Sequence, residues 1–95
     1  MTKAHVIIYS RRDCHLCEEA KQAIANAKCA NEYTLEEIDI ESDNELLRRY
    51  RYDIPVVMID GEEAFRHRLT SPEFRERLRA RAGQAHLSNP EQSRS

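Results

Sequence analysis

Cys14 and Cys17 lie three residues apart in "RRDCHLC", between the apolar run "HVIIYS" and the helical pattern "EEAKQAIANA". Cysteines at helical positions i and i+3 are neighbours, close enough to form a disulfide. A thiol in the first turn of a helix meets unpaired backbone N–H groups and the positive end of the helix dipole. Both lower its pKa and increase the fraction of reactive thiolate. The spacing therefore predicts a pair that cycles between dithiol and disulfide.

Charged neighbours on both sides of the pair act in opposite directions. Arg11, Arg12 and His15 would stabilise a Cys14 thiolate, whereas Glu18 and Glu19 would oppose them weakly. The net effect depends on distances, so the sequence leaves its sign open.

The same cysteine pair also forms half of many zinc sites, which need two further ligands. This chain offers only Cys29 and the scattered histidines His5, His67 and His86, and the residue after Cys17 is Glu18 rather than the histidine of a haem attachment motif. We therefore expect no metal. Two alternatives stay open: a zinc or iron–sulfur site shared between two chains, and a redox-sensing module without catalysis.

The third cysteine, Cys29, follows Cys14 by fifteen residues, or roughly 22 Å along a continuous helix at about 1.5 Å per residue. That separation is too long for a disulfide in the folded protein. Its helical phase places it opposite the apolar stripe. We predict an incidental thiol near the end of the helix, left free when Cys14 and Cys17 pair.

Strands and helices that would position the pair follow from hydrophobic periodicity. Residues 5–9 read as a buried strand and 33–40 as a second one, with a helix between them. That helix begins at His15 and carries one apolar stripe, made of Leu16, Ala20, Ala23, Ile24 and Ala27.

The second half of the chain predicts a helix, a hairpin and a last helix. Ser42 and Glu45 form a capping box that opens the helix "NELLRRY". Residues 55–60 and 63–68 form two strands joined by a tight turn at "DG". Thr70, Ser71 and Pro72 then begin a helix whose Phe74 and Leu78 face inward. The predicted order is β-α-β-α-β-β-α.

The 95 residues fit a single domain, which we place at 1–82, followed by a flexible tail at 83–95. Charged residues make up 34% of the chain but the net charge is only -2, which favours neither nucleic acid nor membrane as a partner. The acidic stretch 36–45 and the six arginines from Arg66 to Arg81 are interpreted as two solvated faces. The N-terminal residues lack the apolar segment of a signal peptide, so we expect a cytoplasmic protein.

With "YSRRDCHLCEEA" at the first strand–helix junction and "YDIPVVMIDGEE" some forty residues later, residues 5 to about 80 resemble a glutaredoxin-like protein of the thioredoxin superfamily. The resemblance implies an α/β fold with a four-stranded mixed sheet flanked by helices. It implies Cys14 as the exposed nucleophile, Cys17 as the resolving thiol, and Pro55 in cis beside them. It also implies that the backbone of Ile54 pairs with an extended peptide or with glutathione.

Two segments depart from the usual glutaredoxin pattern. His15 and Leu16 replace Pro-Tyr between the cysteines, and "RHRLTSPEF" replaces the Gly-Gly-Asp segment before the last helix. Thr70 and Ser71 could still hold a carboxylate at that helix N-terminus. The substrate-binding or glutathione-binding candidates are therefore Arg12, His15, Ile54, Pro55, Thr70 and Ser71.

These features together predict a thiol–disulfide oxidoreductase that reduces protein or small-molecule disulfides through Cys14 and Cys17. We expect no bound cofactor and a monomeric protein. Its partners would be a disulfide-containing protein or glutathione, and either glutathione or a separate reductase would restore the dithiol.

Overall fold

The apolar run at the start of the chain forms the strand around which the domain is built. A computed structural model describes residues 3–87, with β1 at Ala4–Ser10 and α1 at His15–Asn26. After these come β2 (Tyr33–Asp39), α2 (Asn44–Tyr50), β3 (Val56–Ile59), β4 (Glu62–Arg66) and α3 (Ser71–Leu87), with short 3₁₀ turns at Ala30–Glu32 and Ile40–Ser42. This is the predicted order of elements.

The four strands form one mixed sheet in the order β2-β1-β3-β4. β1 pairs in parallel with β2 through the α1 crossover and antiparallel with β3, and β4 pairs antiparallel with β3. The predicted α/β fold with a four-stranded mixed sheet is confirmed.

Alternation along the strands divides the apolar side chains between the two faces of the sheet. Val6 and Ile8 of β1 belong to the larger core, with the buried residues of α1 and α3, whereas Tyr9 packs against the smaller core beneath α2. In that smaller core the rings of Tyr9 and Tyr50 stack with centroids 4.7 Å apart. The sheet is thus covered by α1 and α3 on one face and by α2 on the other.

The hairpin turn forms as "DG" predicts. Asp60 and Gly61 both have positive φ, 50° and 86°, as a type I′ turn requires. The pairing register of the hairpin shifts between Val57 and Met58.

The predicted capping box at Ser42 is wrong. Ser42 lies in the preceding 3₁₀ turn, where its hydroxyl donates to the carbonyl of Asp39 at 2.6 Å. The N-cap of α2 is Asp43, whose carboxylate accepts from the backbone N–H of Glu45 at 2.7 Å and of Leu46 at 3.4 Å. Ser42 and Asp43 are both residue types that favour the N-cap position, and in the structure Asp43 occupies it.

The last helix begins where predicted and continues past residue 82. Phe74 and Leu78 are buried, as expected, and the Phe74 ring meets Tyr33 edge-on with centroids 5.4 Å apart. The helix extends to Leu87, into the segment predicted as a tail, and residues 88–95 lie outside the described residues. No helix within 3–87 is long and apolar enough to cross a membrane.

Two polar contacts fix α3 against the C-terminal end of α1. The Ser71 hydroxyl donates to the carbonyl of Ala23 at 2.6 Å, and the Arg75 guanidinium donates to the carbonyl of Ala27 at 3.2 Å. The Ala23 carbonyl also accepts the N–H of Ala27, whereas Ala27 is the C-cap residue of α1, where intrahelical donors run out. α1 therefore depends on α3 as well as on the sheet for its position.

Truncation of a core leucine should destabilise this arrangement. Leu78, 2% exposed, contributes to the packing between α3 and the sheet, whereas Leu35 on β2 is 44% exposed. We expect Leu78→Ala to lower the free energy of unfolding by about 2–5 kcal/mol because it leaves a cavity. Leu35→Ala should lower it by at most about 1 kcal/mol. Urea denaturation compares them, and equal losses would contradict the assigned core.

Candidate redox site

Cys14 lies at the junction where the chain leaves β1 and begins α1. Asp13 immediately before it has a φ of 60°, which turns the loop, and Cys14 itself is the extended N-cap residue of α1. Cys14 and Cys17 form a disulfide with their Cα atoms 5.2 Å apart. The predicted pairing is confirmed, and Cys29 is free.

The Cys14 sulfur takes the place of the usual N-cap oxygen. The backbone N–H of Cys17 donates to Cys14 Sγ at 3.2 Å, and the N–H of Glu18 donates to the Cys14 carbonyl at 3.2 Å. A thiolate at this position would accept the same N–H and lie at the positive end of the helix dipole. The cap therefore favours the charged form of the reduced Cys14.

The two sulfurs differ in exposure. Cys14 is half-buried and lines an open cleft, whereas Cys17 is 1% exposed. Cys17 shares the inward side of α1 with Ala20 and Ile24, which pack on the sheet. A substrate can therefore reach Cys14 first.

Two acidic residues of α1 near the pair are neutralised by their own partners, whereas Asp13, directly before Cys14, forms no ion pair among the described residues. Glu18 forms an ion pair with Lys21 at 2.9 Å, and Glu19 forms one with the His15 ring at 2.8 Å when that ring is protonated. Arg12 has no ion-pair partner among the described residues. The charges of Arg12 and Asp13 oppose one another beside Cys14, so the Cys17 N–H and the helix dipole remain the groups that favour an anion there.

The Cys14 cleft has a volume of about 550 Å³ and combines three separate parts of the chain. It is lined by Arg11, Arg12, Asp13, Cys14, Glu41, Arg51 and Ile54. Arg12 and Ile54, two of the predicted site residues, thus lie in the same cleft as the nucleophile. Arg51, at the end of α2, has no local motif to mark it, because only the fold brings it here.

The Ile54–Pro55 peptide bond is cis, as the resemblance implied, and Pro55 is buried. A residue without a predicted role in the site, His67, supports this loop. Its backbone N–H donates to the Pro55 carbonyl at 2.8 Å, and its ring Nε2 lies 3.1 Å from the Tyr52 carbonyl. His67 has a φ of 72°, which nothing in its local sequence indicates.

Thr70 and Ser71 do not line the Cys14 cleft. Thr70 Oγ1 accepts the N–H of Glu73 at 3.3 Å, and Glu73 Oε1 accepts the N–H of Thr70 at 3.1 Å. This is a capping box, and Ser71 is engaged with α1. Thr70 instead borders a separate depression of about 380 Å³, together with Leu16 and Glu73.

Cys29 corrects the interpretation from helical phase. α1 ends at Asn26, and Lys28 has a φ of 59°, so the chain turns before Cys29 and brings it into the core at 2% exposure. Its thiol donates to the Ala27 carbonyl at 3.4 Å. The predicted position opposite the apolar stripe is wrong because the helix stops one turn earlier.

The Glu37 carboxylate on β2 joins β2 to a buried hydroxyl of β1 and to a lysine of α1. Ser10 donates to Glu37 Oε2 at 2.8 Å, and Lys21 lies 3.1 Å from the same oxygen. The Ser10 hydrogen bond holds the pKa of Glu37 below its usual value against the opposing effect of burial, and the hydrogen bond and charge of Lys21 lower it further. Lys21 connects Glu37 to Glu18, next to Cys17.

Within the part of the chain that the structure describes, no group of three or more histidine, cysteine or acidic side chains is arranged to hold a metal ion.

The family model for the Glutaredoxin-like domain (DUF836) matches residues 5–79. The chain therefore belongs to this glutaredoxin-like family. The match includes the cysteine pair, the Ile54–Pro55 loop and the beginning of α3, which are the parts of the candidate site.

Relatives of this glutaredoxin-like chain agree with that assignment. The "Glutaredoxin-like protein YDR286C homolog" of Dictyostelium discoideum is 35% identical over 71 residues, 68% of this chain. The matched segment spans 66% of the length of that relative. The solved structure of XcR50 from X. campestris is 30% identical with a TM-score of 0.70, covering 79% of this chain and 96% of that one.

Two further solved structures have the same fold at lower identity. Protein Ne2328 from Nitrosomonas europaea is 26% identical with a TM-score of 0.69, covering 82% of this chain and 94% of that one. A malaria-parasite thioredoxin-2 is 14% identical with a TM-score of 0.65, covering 82% of each chain. The second likeness concerns the fold alone.

Loss of the Glu37 carboxylate should change the pH dependence of stability. Because the pKa of Glu37 is lower when folded, its contribution is complete above the unfolded value, about 4.3, and disappears as the pH falls through the folded value. We expect Glu37→Gln to cost about 0.5–1 kcal/mol at pH 7, since the group is partly exposed, and progressively less below pH 4. Denaturant titrations from pH 3 to 7 measure this, with Glu36→Gln as the control. The prediction would be contradicted if the free energies of unfolding of wild type and Glu37→Gln differed by the same amount at every pH.

Differential exposure should appear in alkylation of the reduced protein. At neutral pH iodoacetamide should modify Cys14 at least about tenfold faster than Cys17 or Cys29, because Cys14 is accessible and capped as an anion. Time-resolved peptide mapping gives the three rates, and the oxidised protein is the control. Faster labelling of Cys29 would overturn the assignment of accessible and buried thiols.

Proposed function

We propose that this protein is a thiol–disulfide oxidoreductase in which Cys14 attacks a substrate disulfide and Cys17 resolves the adduct. The observation that carries the proposal is the unequal pair at the start of α1. Cys14 is accessible with its sulfur on a helix N–H, and Cys17 is buried directly behind it. Membership of the glutaredoxin-like family supports a redox role for these two residues.

The reaction proceeds by two thiol–disulfide exchanges. The Cys14 thiolate attacks one sulfur of the substrate, its S–S bond breaks, and the released thiolate takes a proton from water. Cys17, deprotonated, then attacks Cys14 Sγ, which breaks the mixed disulfide and releases the second substrate thiol. The substrate gains two electrons and the protein is left with the Cys14–Cys17 disulfide, the state described above.

Each neighbouring group has a role in these steps. The N–H of Cys17 and the dipole of α1 stabilise Cys14 both as nucleophile and, in the second step, as leaving group. Ile54 borders the cleft next to Cys14, where its backbone would pair with an extended substrate. A thiol reductant, either glutathione or a dithiol reductase, would return the protein to the reduced state.

Serine variants of the two cysteines test the assigned roles. Cys14→Ser should abolish reduction of a disulfide substrate, because no accessible nucleophile remains. Cys17→Ser should still attack but fail to resolve, so a covalent adduct accumulates on Cys14. Intact-mass spectrometry after exposure to an oxidised partner detects the adduct, and Cys29→Ser, which should turn over like wild type, is the matched control.

The opposite trapping pattern, with the adduct on Cys14→Ser, would reverse the roles of nucleophile and resolving thiol. If wild type shows no turnover and neither variant traps an adduct, the protein acts instead as a redox sensor. Metal analysis of the reduced protein tests for a site shared between two chains.

A further inference from the structure

We propose that the cleft beside Cys14 binds a polypeptide whose disulfide is flanked by acidic residues. The inference rests on the proposed function, because it names the substrate class of the same thiol. It follows from the charges and the shape of the cleft around Cys14, neither of which the two exchange steps require.

Arginines dominate the cleft wall. Arg11, Arg12 and Arg51 all line it, while Glu41 and Asp13 are its acidic residues. The Arg11 guanidinium is neutralised by Glu41 at 2.7 Å. Arg12 and Arg51 form no ion pair with a carboxylate among the described residues, which leaves two positive charges in the cleft against the single carboxylate of Asp13.

Uncompensated guanidinium groups next to a reactive sulfur favour an anionic ligand. Arginine presents several N–H donors in a planar fork that matches a carboxylate. A substrate with carboxylates on either side of its disulfide would supply the counter-charges that Arg12 and Arg51 lack. Such complementarity chiefly increases the association rate and selects among partners.

The cleft also continues beyond the size of a small ligand. A second depression of about 300 Å³ shares Arg11, Glu41 and Arg51 with the first and adds Leu47 and Tyr52. Tyr52 is 82% exposed, and the Arg51 guanidinium lies 5.6 Å from its ring centroid. An exposed tyrosine beside arginine is typical of protein interfaces. This continuation fits an extended chain that runs from Cys14 across Arg51 to Tyr52.

The separate depression beside the N-terminus of α3 contains Arg68, but it also contains the carboxylates of Glu19 and Glu73, which disfavour a further anion. The N-terminus of α3 could in principle hold a carboxylate. There, however, the Glu73 carboxylate accepts the N–H of Thr70, and the Ser71 hydroxyl donates to Ala23. Acidic groups are therefore better matched on the arginine side, and the continuation of that cleft to Tyr52, rather than its charge, favours a peptide over glutathione.

A single-turnover assay on the reduced full-length chain tests this without any added reductant. Two synthetic peptides, each closed by one internal disulfide, differ only in the flanking residues, glutamate in one and glutamine in the other. Oxidised glutathione is the third substrate. Wild type should reduce the glutamate peptide about three- to tenfold faster than the glutamine peptide, as one or two exposed ion pairs allow. The ratio should fall towards one in high salt.

Two variants and a matched control locate the effect. Arg12→Gln and Arg51→Gln should each lower the glutamate-to-glutamine ratio, and the double variant should bring it close to one. Arg48→Gln removes the same charge from exposed surface of α2 outside both depressions, so it should keep the wild-type ratio.

The outcomes separate this inference from the proposed function. A wild type that reduces both peptides equally would overturn the inference and leave the oxidoreductase function standing. Failure to reduce any of the three substrates would overturn the proposed function. Faster reduction of oxidised glutathione than of the glutamate peptide, lost in the Arg12 and Arg51 variants, would show that the arginines recognise glutathione instead. If Arg48→Gln lowered the glutamate-to-glutamine ratio as much as the Arg12 and Arg51 variants do, the preference would reflect net charge rather than the cleft.

Discussion

The hydrogen bond from the Cys17 N–H to the Cys14 sulfur links the packing of α1 to the reactivity of the nucleophile. It exists because α1 packs Ala20 and Ile24 against the sheet, which turns Cys17 inward and leaves Cys14 at the helix end. A rotation of α1 by one residue, about 100°, would expose Cys17 and remove the cap at the same time. The contacts that prevent this come from outside the helix, from Ser71 and Arg75 at its C-terminal end and from Glu37 at Lys21.

The rest of the site is assembled from segments distant in sequence. Ile54 lines the same cleft as Cys14 from a loop supported by the backbone of His67, and the end of α2 brings Arg51 to that cleft. None of these groups is a catalytic residue by type. They form a charged cleft beside the cysteine pair, which a helix N-terminus alone does not provide.

Local signals in the sequence predicted the framework well. Periodicity predicted β1 and α1, "DG" predicted the hairpin turn, and Phe74 and Leu78 are buried as expected. Predictions failed where neighbouring residues compete or where a turn resets the phase. Asp43 caps α2 in place of Ser42, and Lys28 in a left-handed conformation brings Cys29 into the core. Arg51 and His67 act through tertiary proximity, which residue spacing does not encode.

The strand order has a further consequence for association between copies of the chain. β2 lies at one edge of the sheet, so one row of its backbone N–H and C=O groups has no neighbouring strand within the described sheet. Such an edge can recruit a strand from another molecule and begin aggregation. On β2 this edge carries the exposed acidic residues Glu36, Glu37 and Asp39. A second β2 aligned beside it would bring carboxylates close to carboxylates. The acidic residues therefore disfavour extension of the sheet by another copy of the chain.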